Sequence, residues 1–124
     1  RLLGTDTETV VADRLAAARD AARRSGAVIV AKGYGTVIAE PDGQAWVNPT
    51  GDVGLASGGS GDVLTGTVGG LLAQGFDPVR AALVGCWLHG RAGEIAGEVY
   101  PAAVPAGRLA GWLADAWTEL EDGD

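Results

Sequence analysis

Apolar positions recur with helical spacing near the beginning of the chain. Residues 9–24, TVVADRLAAARDAARR, carry acids early and arginines late, and Gly26 follows them. This arrangement predicts an amphipathic helix, with Asp6 or Thr7 as its N-cap. The predicted apolar face holds positions 10, 11, 15, 18 and 22.

Three short apolar runs that follow predict strands. Residues 27–32, AVIVAK, are nearly continuous in apolar character, which is typical of a strand buried on both faces. Residues 36–40, TVIAE, and 44–48, QAWVN, flank the sequence PDG. Because Pro41 fixes φ and Gly43 tolerates positive φ, this pair predicts a hairpin.

The second half of the chain predicts a loop and then three helices. Between the first two of these helices, GFDP predicts a stop and a restart, with Gly75 as C′, Asp77 as N-cap and Pro78 at N1. The predicted loop spans residues 49–61, and the predicted helices span roughly 62–74, 79–98 and 106–121.

Two of these helices carry packing information. The helix over 79–98 is apolar around most of its circumference in its first half, so we expect neighbours on several sides of it. The preceding helix contains Gly66, Gly69 and Gly70. Since glycine costs about 1 kcal/mol against alanine in a helix interior, we expect close helix packing at these three positions.

A helix, a buried strand, a hairpin and three helices predict part of an α/β sandwich whose sheet has too few strands to cover its helices. The 124 residues correspond to about one ordinary domain, with 47% apolar residues. The chain has no methionine and begins with Arg1. We therefore expect it to be a portion of a larger fold.

Charge and composition exclude several classes of protein. A formal net charge of −7 disfavours nucleic-acid binding and a polybasic membrane surface, and no apolar stretch is long enough for a membrane span. The single Cys86 allows no internal disulfide, and with the single His89 it makes no structural zinc site. The expectation is a soluble, cytoplasmic domain in which no residue identifies itself as a metal ligand.

Candidate chemistry lies in SGGSGDVLTG, residues 57–66. Glycines let backbone N–H groups turn inward, and a helix N-terminus attracts anions. Gly58, Gly59, Ser60 and Gly61 therefore predict a phosphate cradle at the start of a helix. Asp62 follows the cradle, where a carboxylate repels phosphate as a ligand and can accept a proton from an attacking hydroxyl.

A simpler interpretation of the same residues stays open at this point. Asp62 can be only a favourable acid in the first helical turn, and the glycines only a flexible linker. The run matches neither the Walker loop nor the Rossmann glycine motif.

A family resemblance adds context to this motif. The runs 48–75 (NPTGDVGLASGGSGDVLTGTVGGLLAQG), 32–43 (KGYGTVIAEPDG) and 88–94 (LHGRAGE) closely resemble the ATP- or ADP-dependent NAD(P)H-hydrate dehydratases, repair enzymes of the ribokinase-like superfamily. The resemblance covers nearly the whole chain. It implies a ribokinase-like three-layer α/β/α sandwich, of which residues 1–124 form the C-terminal part of a single domain.

The resemblance also implies an activity and a set of site residues. The enzyme would use ADP or ATP with Mg²⁺ to dehydrate the hydrated form of NADH or NADPH. Asp62 would activate the hydroxyl of the hydrate, and the backbone of residues 57–61 would bind the transferred phosphate. The implied nucleotide-binding residues, besides Gly61, are Lys32, Gly33, Tyr34, Gly35, Thr36, Asp52, Val53, Gly54, Leu55, Ala56 and Ser57.

The residues themselves support part of this assignment. Lys32 ends a predicted buried strand, so its ammonium is expected at the sheet edge where open α/β sheets bind ligands; the alternative is a surface lysine that merely ends the strand. The family usually has Asn-Pro where this chain has Asp52-Val53, which adds a negative charge beside the predicted pocket.

Partners follow from the same resemblance. The opening RLLG resembles the residues just after the family's His-Pro-Gly-Glu segment, so we expect the N-terminal half of the fold to be missing. Family members form oligomers, and a homo-oligomer is expected here. Elsewhere, His89 is expected to be structural, Cys86 inert core, and Trp112 and Trp117 packing or subunit contacts.

Two alternative functions remain open. One is a kinase of the same superfamily that phosphorylates a small alcohol, because the Gly-Ser-Gly-Asp arrangement suits many such substrates. The other is a non-catalytic, truncated subunit that completes or regulates another polypeptide.

Overall fold

The structure is a computed structural model, and it describes residues 7–33, 35–51, 60–99 and 106–122. The chain divides into two compact units, Arg1–Asn48 and Pro49–Asp124. Among the described residues, the first unit contains one helix and a small sheet, and the second contains three helices. Helices combined with a small sheet agree with the predicted α/β class.

The first unit is a helix followed by a three-stranded antiparallel sheet. Helix α1 (Thr7–Ser25) leads to strands β1 (Ile29–Ala31), β2 (Val37–Ala39) and β3 (Ala45–Val47). The strands lie in the order β1-β2-β3. In their register, Val30 stands opposite Ile38, and Ile38 opposite Trp46.

Helix α1 confirms the helix predicted over 9–24 and extends it at both ends. Gly26 adopts φ 73° directly after its last residue, and the Gly26 N–H donates to the Ala22 carbonyl at 2.9 Å. Thr7 is the first helical residue rather than the N-cap, and Asp6 lies outside the described residues. The helix packs Ala18 and Ala22 against Val37 and Ala39.

The predicted burial of the first strand is wrong. All three residues of β1 are only half-buried, whereas all three residues of β2 are buried. The reason is position in the sheet, because β2 has a hydrogen-bonded strand on each side and β1, among the described residues, pairs only with β2. A continuous apolar run did not distinguish an outer strand from the central one.

The predicted hairpin is confirmed. The Glu40 N–H donates to the Gln44 carbonyl at 2.9 Å, and the Gly43 N–H donates to the Glu40 carbonyl at 3.1 Å. Gly43 has φ 101°, a conformation that favours glycine. The Asp42 carboxylate accepts the Gln44 N–H at 2.8 Å and closes the turn.

The second unit contains the three predicted helices. They are α2 (Ser60–Ala73), α3 (Pro78–Ala96) and α4 (Ala106–Asp122). Helix α2 begins two residues earlier than predicted, so Ser60 and Gly61 belong to the helix and not to the loop. Residues 52–59 of the predicted loop lie outside the described residues.

The junction between α2 and α3 has the predicted caps. Gly75 has φ 99°, its N–H donates to Leu72 O at 3.0 Å, and the Phe76 N–H donates to Leu71 O at 3.1 Å. This pair of bonds is the Schellman arrangement. Asp77 then accepts the Arg80 N–H at 2.9 Å and caps α3, with Pro78 in its first turn.

Helix α3 is the central element of this unit. It contacts both α2 and α4, as its extensive apolar surface predicts. A buried cluster joins the three helices, and Leu109 of α4 is fully enclosed in it. The buried members of the cluster are Leu71, Ala81, Leu88, Ala92, Ala96, Leu109 and Ala116.

The expected close packing at the α2 glycines is wrong. Gly66, Gly69 and Gly70 are exposed, and a Cβ built on each would meet no atom of the described residues within 4 Å. Close approach occurs at α3 instead. A Cβ on Gly85 would lie 2.7 Å from Val68 Cγ2, so this glycine lets α2 and α3 come together.

Candidate functional site

The first turn of α2 holds the residues predicted to handle phosphate. Ser60, Gly61 and Asp62 are its first three residues, and the Asp62 side chain is exposed. The first four N–H groups of a helix have no partner within the helix, and the dipole adds positive potential there. The structure therefore brings an accessible carboxylate and an anion-attracting helix end together.

Two threonines of α2 form hydrogen bonds to the main chain of the preceding turn. The Thr65 hydroxyl donates to Gly61 O at 3.0 Å, and the Thr67 hydroxyl donates to Val63 O at 2.8 Å. Such bonds to the carbonyl four residues earlier satisfy the side chains within the helix itself. Leu64, just before Thr65, is buried, so α2 is anchored two residues after Asp62.

Several predicted site residues lie outside the described residues. Tyr34 is one of them, and the remainder form the segment between Gly51 and α2. These remaining residues are Asp52, Val53, Gly54, Leu55, Ala56, Ser57, Gly58 and Gly59.

The segment that enters this loop is held against α3. The Thr50 hydroxyl donates to Trp87 O at 3.1 Å, and the Gly51 N–H donates to Glu94 Oε2 at 3.1 Å. A Cβ on Gly90 would collide with Thr50. The LHGRAGE run contributes to the family resemblance, but no local pattern in it predicts a role for Gly90 or Glu94.

Glu94 also belongs to a charged cluster that links α3 to α4. The Arg91 guanidinium donates to Glu94 Oε1 at 3.1 Å and to both carboxylate oxygens of Glu119, at 2.6 and 3.0 Å. The hydrogen bond from Arg91 lowers the pKa of Glu119. The bonds to Glu119 and then to Glu94 raise the pKa of Arg91, so the guanidinium stays charged at neutral pH.

The other predicted nucleotide-binding segment follows β1 in the first unit. Lys32 is exposed directly after this strand, as the sequence predicts. The Thr36 hydroxyl donates to Gly33 O at 3.1 Å and accepts the Gly33 N–H at 3.3 Å. Gly35 has φ 78°, so glycine is needed for the tight turn that these bonds close.

Arg14 of α1 is a neighbour of this turn that sequence reasoning missed. Its Nη1 donates to Gly35 O at 2.9 Å. A Cβ on Gly33 would lie 2.5 Å from Arg14 Nη2, so the guanidinium lies directly against the glycine backbone. The sequence carried no signal for this contact, because Arg14 occupies an ordinary position in the helical pattern.

The remaining candidates lie in the core of the helical unit. His89 is buried in α3. Cys86 is buried as well, and this burial raises the pKa of its thiol to about 11, which makes it unreactive at neutral pH. Trp112 and Trp117 pack their rings partly buried against the helical core, in agreement with a packing role.

Within residues 7–33, 35–51, 60–99 and 106–122, no group of three or more His, Cys, Asp or Glu side chains could hold a metal ion. None of the helices in those ranges is long and apolar enough to cross a membrane.

Comparison with known proteins yields close matches. The family model described as NAD(P)H-hydrate dehydratase matches residues 1–113. The ADP-dependent (S)-NAD(P)H-hydrate dehydratase of Neisseria meningitidis serogroup B is 49% identical over 116 residues, which cover 94% of this chain and 38% of that protein. The bifunctional NAD(P)H-hydrate repair enzyme of Moorella thermoacetica is 48% identical over 123 residues, 98% of this chain and 23% of that protein.

A solved structure agrees with these matches. The ADP/ATP-dependent NAD(P)H-hydrate dehydratase of Bacillus subtilis, co-crystallised with ATP/Mg²⁺, superposes with a TM-score of 0.82 at 38% identity. The match covers 96% of this chain and 43% of that one. The chain thus spans less than half the length of the relatives it matches. With the family model covering residues 1–113, the chain belongs to the NAD(P)H-hydrate dehydratase family.

Proposed function

We propose that the complete protein is a cytoplasmic, nucleotide-dependent NAD(P)H-hydrate dehydratase. The observation that carries the proposal is the family match over residues 1–113, which includes both glycine segments and Asp62. The exposed carboxylate in the first turn of α2 supplies the chemical group that such a reaction needs.

In the proposed site, Asp62 is the general base. A hydroxyl of the hydrated nicotinamide ring attacks the terminal phosphorus of the nucleotide, and its proton passes to the Asp62 carboxylate. The phosphorus–oxygen bond to the nucleotide breaks. Loss of phosphate then breaks the carbon–oxygen bond of the ring, a ring proton leaves, and the dihydronicotinamide double bond is restored.

The backbone around Asp62 is proposed to bind the transferred phosphate. The N–H groups of Ser60 and Gly61 lie at the positive end of α2, where an anion is stabilised. Gly58 and Gly59 would extend this cradle. The proposed nucleotide-binding residues are those of segments 32–36 and 52–57.

Magnesium is proposed to act with ADP or ATP. The chemistry of the described residues fits an ion carried by the nucleotide, because Mg²⁺ is commonly held by substrate phosphates and water with few protein ligands. Bound in this way, the ion would neutralise phosphate charge during transfer. The B. subtilis relative was co-crystallised with ATP/Mg²⁺.

The fold and partners are part of the same proposal. Residues 1–124 would be the C-terminal part of a single ribokinase-like three-layer α/β/α domain, and an N-terminal portion would complete the substrate surface. The high TM-score over 96% of the chain, with 43% of the solved structure covered, supports this arrangement. A homo-oligomer of the complete protein is proposed as well.

The Asp62→Asn variant tests the proposal in protein expressed from the complete gene. Hydrated NADH, Mg²⁺ and either ADP or ATP are added, and recovery of the near-ultraviolet absorbance of NADH is followed. We expect turnover in the wild type and a loss on the order of 100-fold or more in the variant, with nucleotide affinity nearly intact. Asparagine keeps the size of the side chain but cannot accept the proton.

Asp77→Asn is the matched control. Asp77 also lies at a helix start, and asparagine caps helices as well as aspartate does, so this variant should keep wild-type turnover. Full turnover in Asp62→Asn would overturn the role of the base. A wild type that releases a stable phosphorylated product would instead be a small-molecule kinase, and one that binds no nucleotide would be a non-catalytic subunit.

A further inference from the structure

The LHGRAGE run of α3, residues 88–94, has no role in the function proposed above. It nevertheless contacts Thr50 and Gly51, directly before the loop that contains the proposed nucleotide-binding residues 52–57. Gly90 and Glu94 lie one turn apart on α3, so both face the same side of the helix. We propose that Gly90 and Glu94 form a positioning site that holds Thr50 and Gly51 and thereby fixes the backbone directly before the proposed nucleotide-binding segment 52–57. The inference rests on the proposed function, because that function assigns nucleotide contacts to this loop.

Thr50 approaches α3 closely at Gly90. A Cβ there would lie 2.8 Å from the Thr50 carbonyl carbon and 2.9 Å from Thr50 Cβ, distances that real Cβ atoms do not show. The backbone of Thr50 therefore lies directly on the helix surface. Its hydroxyl donates to Trp87 O, one turn earlier, and fixes the contact along the helix axis.

A hydrogen bond joins Glu94 to Gly51, the residue after Thr50. Glu94 Oε2 accepts the Gly51 N–H at 3.1 Å, which is a bond between a carboxylate and a main-chain donor and not an exposed pair of side chains. Gly51 adopts φ 132°, a conformation that other residues rarely adopt. The carboxylate therefore holds a specific backbone geometry one residue before the proposed nucleotide-binding segment begins.

Arg91 orients the Glu94 carboxylate. Its other oxygen, Oε1, accepts a hydrogen bond from Arg91 Nη1, and Arg91 is held by Glu119 of α4 through two further bonds. Each oxygen of Glu94 thus has its own partner. The carboxylate is oriented by α3 and α4 together, so the core of the helical unit determines where the loop starts.

Because Glu94 holds Gly51, the proposed nucleotide-binding segment would start from a fixed backbone position. Its other end is held by α2, where Leu64 is buried four residues after Ser60. Misplacement of binding groups by about 1 Å can cost on the order of 100-fold in rate. Release of the backbone at Gly51 would therefore weaken nucleotide binding before it affected Asp62.

Glu94→Ala and Glu94→Gln, made in protein expressed from the complete gene, test this inference. The alanine variant removes the acceptor, whereas the amide oxygen of glutamine can still accept the Gly51 N–H. Glu98→Ala is the matched control, because Glu98 is exposed just after α3. The measurements are KM for ADP or ATP, kcat, and hydrogen–deuterium exchange of the peptide containing residues 49–51.

For Glu94→Ala we expect the nucleotide KM to rise on the order of tenfold with a smaller change in kcat. Exchange of the Gly51 amide should accelerate while α3 and α4 keep their protection. Glu94→Gln should fall between the alanine variant and the wild type, because its amide oxygen can accept the Gly51 N–H but its NH2 group cannot accept from Arg91. Glu98→Ala should match the wild type.

Three results would overturn the inference: unchanged exchange at residues 49–51 in Glu94→Ala, an unchanged nucleotide KM in that variant, or a loss in Glu94→Gln as large as in alanine. If Glu94→Ala does not fold, the folded Glu94→Gln variant decides: the Gly51 amide must stay partly protected in it, and complete loss of that protection would contradict the inference. The exchange result does not depend on substrate. A wild type without dehydratase activity would therefore contradict the proposed function while leaving the anchoring measurable.

Discussion

Helices α2 and α3 are both rich in glycine, but they use it differently. The glycines of α2, Gly66, Gly69 and Gly70, are exposed and meet no described atom where a Cβ would stand. Those of α3 are buried, with Gly85 against Val68 and Gly90 against Thr50. Glycine in a helix costs about 1 kcal/mol against alanine, and only α3 recovers this cost through close packing within the described residues.

The difference shows that glycine in a helix has no single meaning. In α3 the lack of a side chain at Gly85 and Gly90 lets helix α2 and Thr50 approach the helix backbone closely. In α2 the same absence leaves an open groove between α2 and α4, lined in part by Gly66, Gly70 and Trp117. Substitutions at these glycines test the difference between α2 and α3, beginning with Gly90, where the contact is tightest.

Gly90→Ala should have the largest effect on the helical unit. The new Cβ would overlap main-chain and side-chain atoms of Thr50, so the segment must move away from α3. We expect a loss of stability toward the upper end of about 1–3 kcal/mol, measured by denaturant unfolding. Gly111→Ala in α4 is the control, since its Cβ would meet no described atom; equal stability in the two variants would contradict the contact.

Gly85→Ala should be destabilising to a smaller extent. Its Cβ would lie 2.7 Å from Val68 Cγ2, and a side chain can shift more easily than the main chain. The expected loss is about 1–2 kcal/mol in the same assay. The double variant with Val68→Ala should cost less than the sum of the two single changes, because the first alanine then has room. Strict additivity would mean that the two residues do not touch.

Gly69→Ala should have the opposite sign. On an exposed helix position with free space, alanine lowers the entropy of the unfolded chain, and we expect a gain of about 0.5–1 kcal/mol for this chain. Thermal and denaturant unfolding measure the gain. A loss of stability instead would show that another segment or subunit covers this face of α2.

Glu119→Gln should have the smallest effect, and the effect should depend on pH. The hydrogen bond from Arg91 lowers the pKa of Glu119, so the folded state binds this proton less readily than the unfolded state. The contribution to stability is therefore present above the ordinary glutamate pKa and is lost as the pH falls through the lowered value. The difference in Tm between wild type and variant should shrink toward acid pH; a constant difference would contradict it.

Much of the fold follows from local sequence signals. The helical spacing in residues 9–24, the PDG turn, and the Gly75-Asp77 junction each act over a few residues, and the structure confirms all three elements. Burial of the strands was not predictable in the same way. The apolar runs of β1 and β2 look alike, and only the pairing of β2 on both sides makes it the buried strand.

The candidate site shows the same division. Asp62 after a glycine run was visible in the sequence, because its position at a helix start is a local property. Arg14 and Glu94 were not, since each acts on backbone 21 and 43 residues away in sequence, at Gly35 and Gly51. Contacts over such separations leave no periodic or motif signal in a single chain.

The sequence by itself therefore determined the helices, the hairpin, the caps at the α2–α3 junction and the family, all of which depend on short-range backbone preferences or on the order of residues in motifs. The tertiary structure alone decided which strand is central, which glycines are contact points and which side chains hold Gly35 and Gly51. The physical reason is that burial and close approach depend on which elements meet in space, and the same residue type serves either outcome.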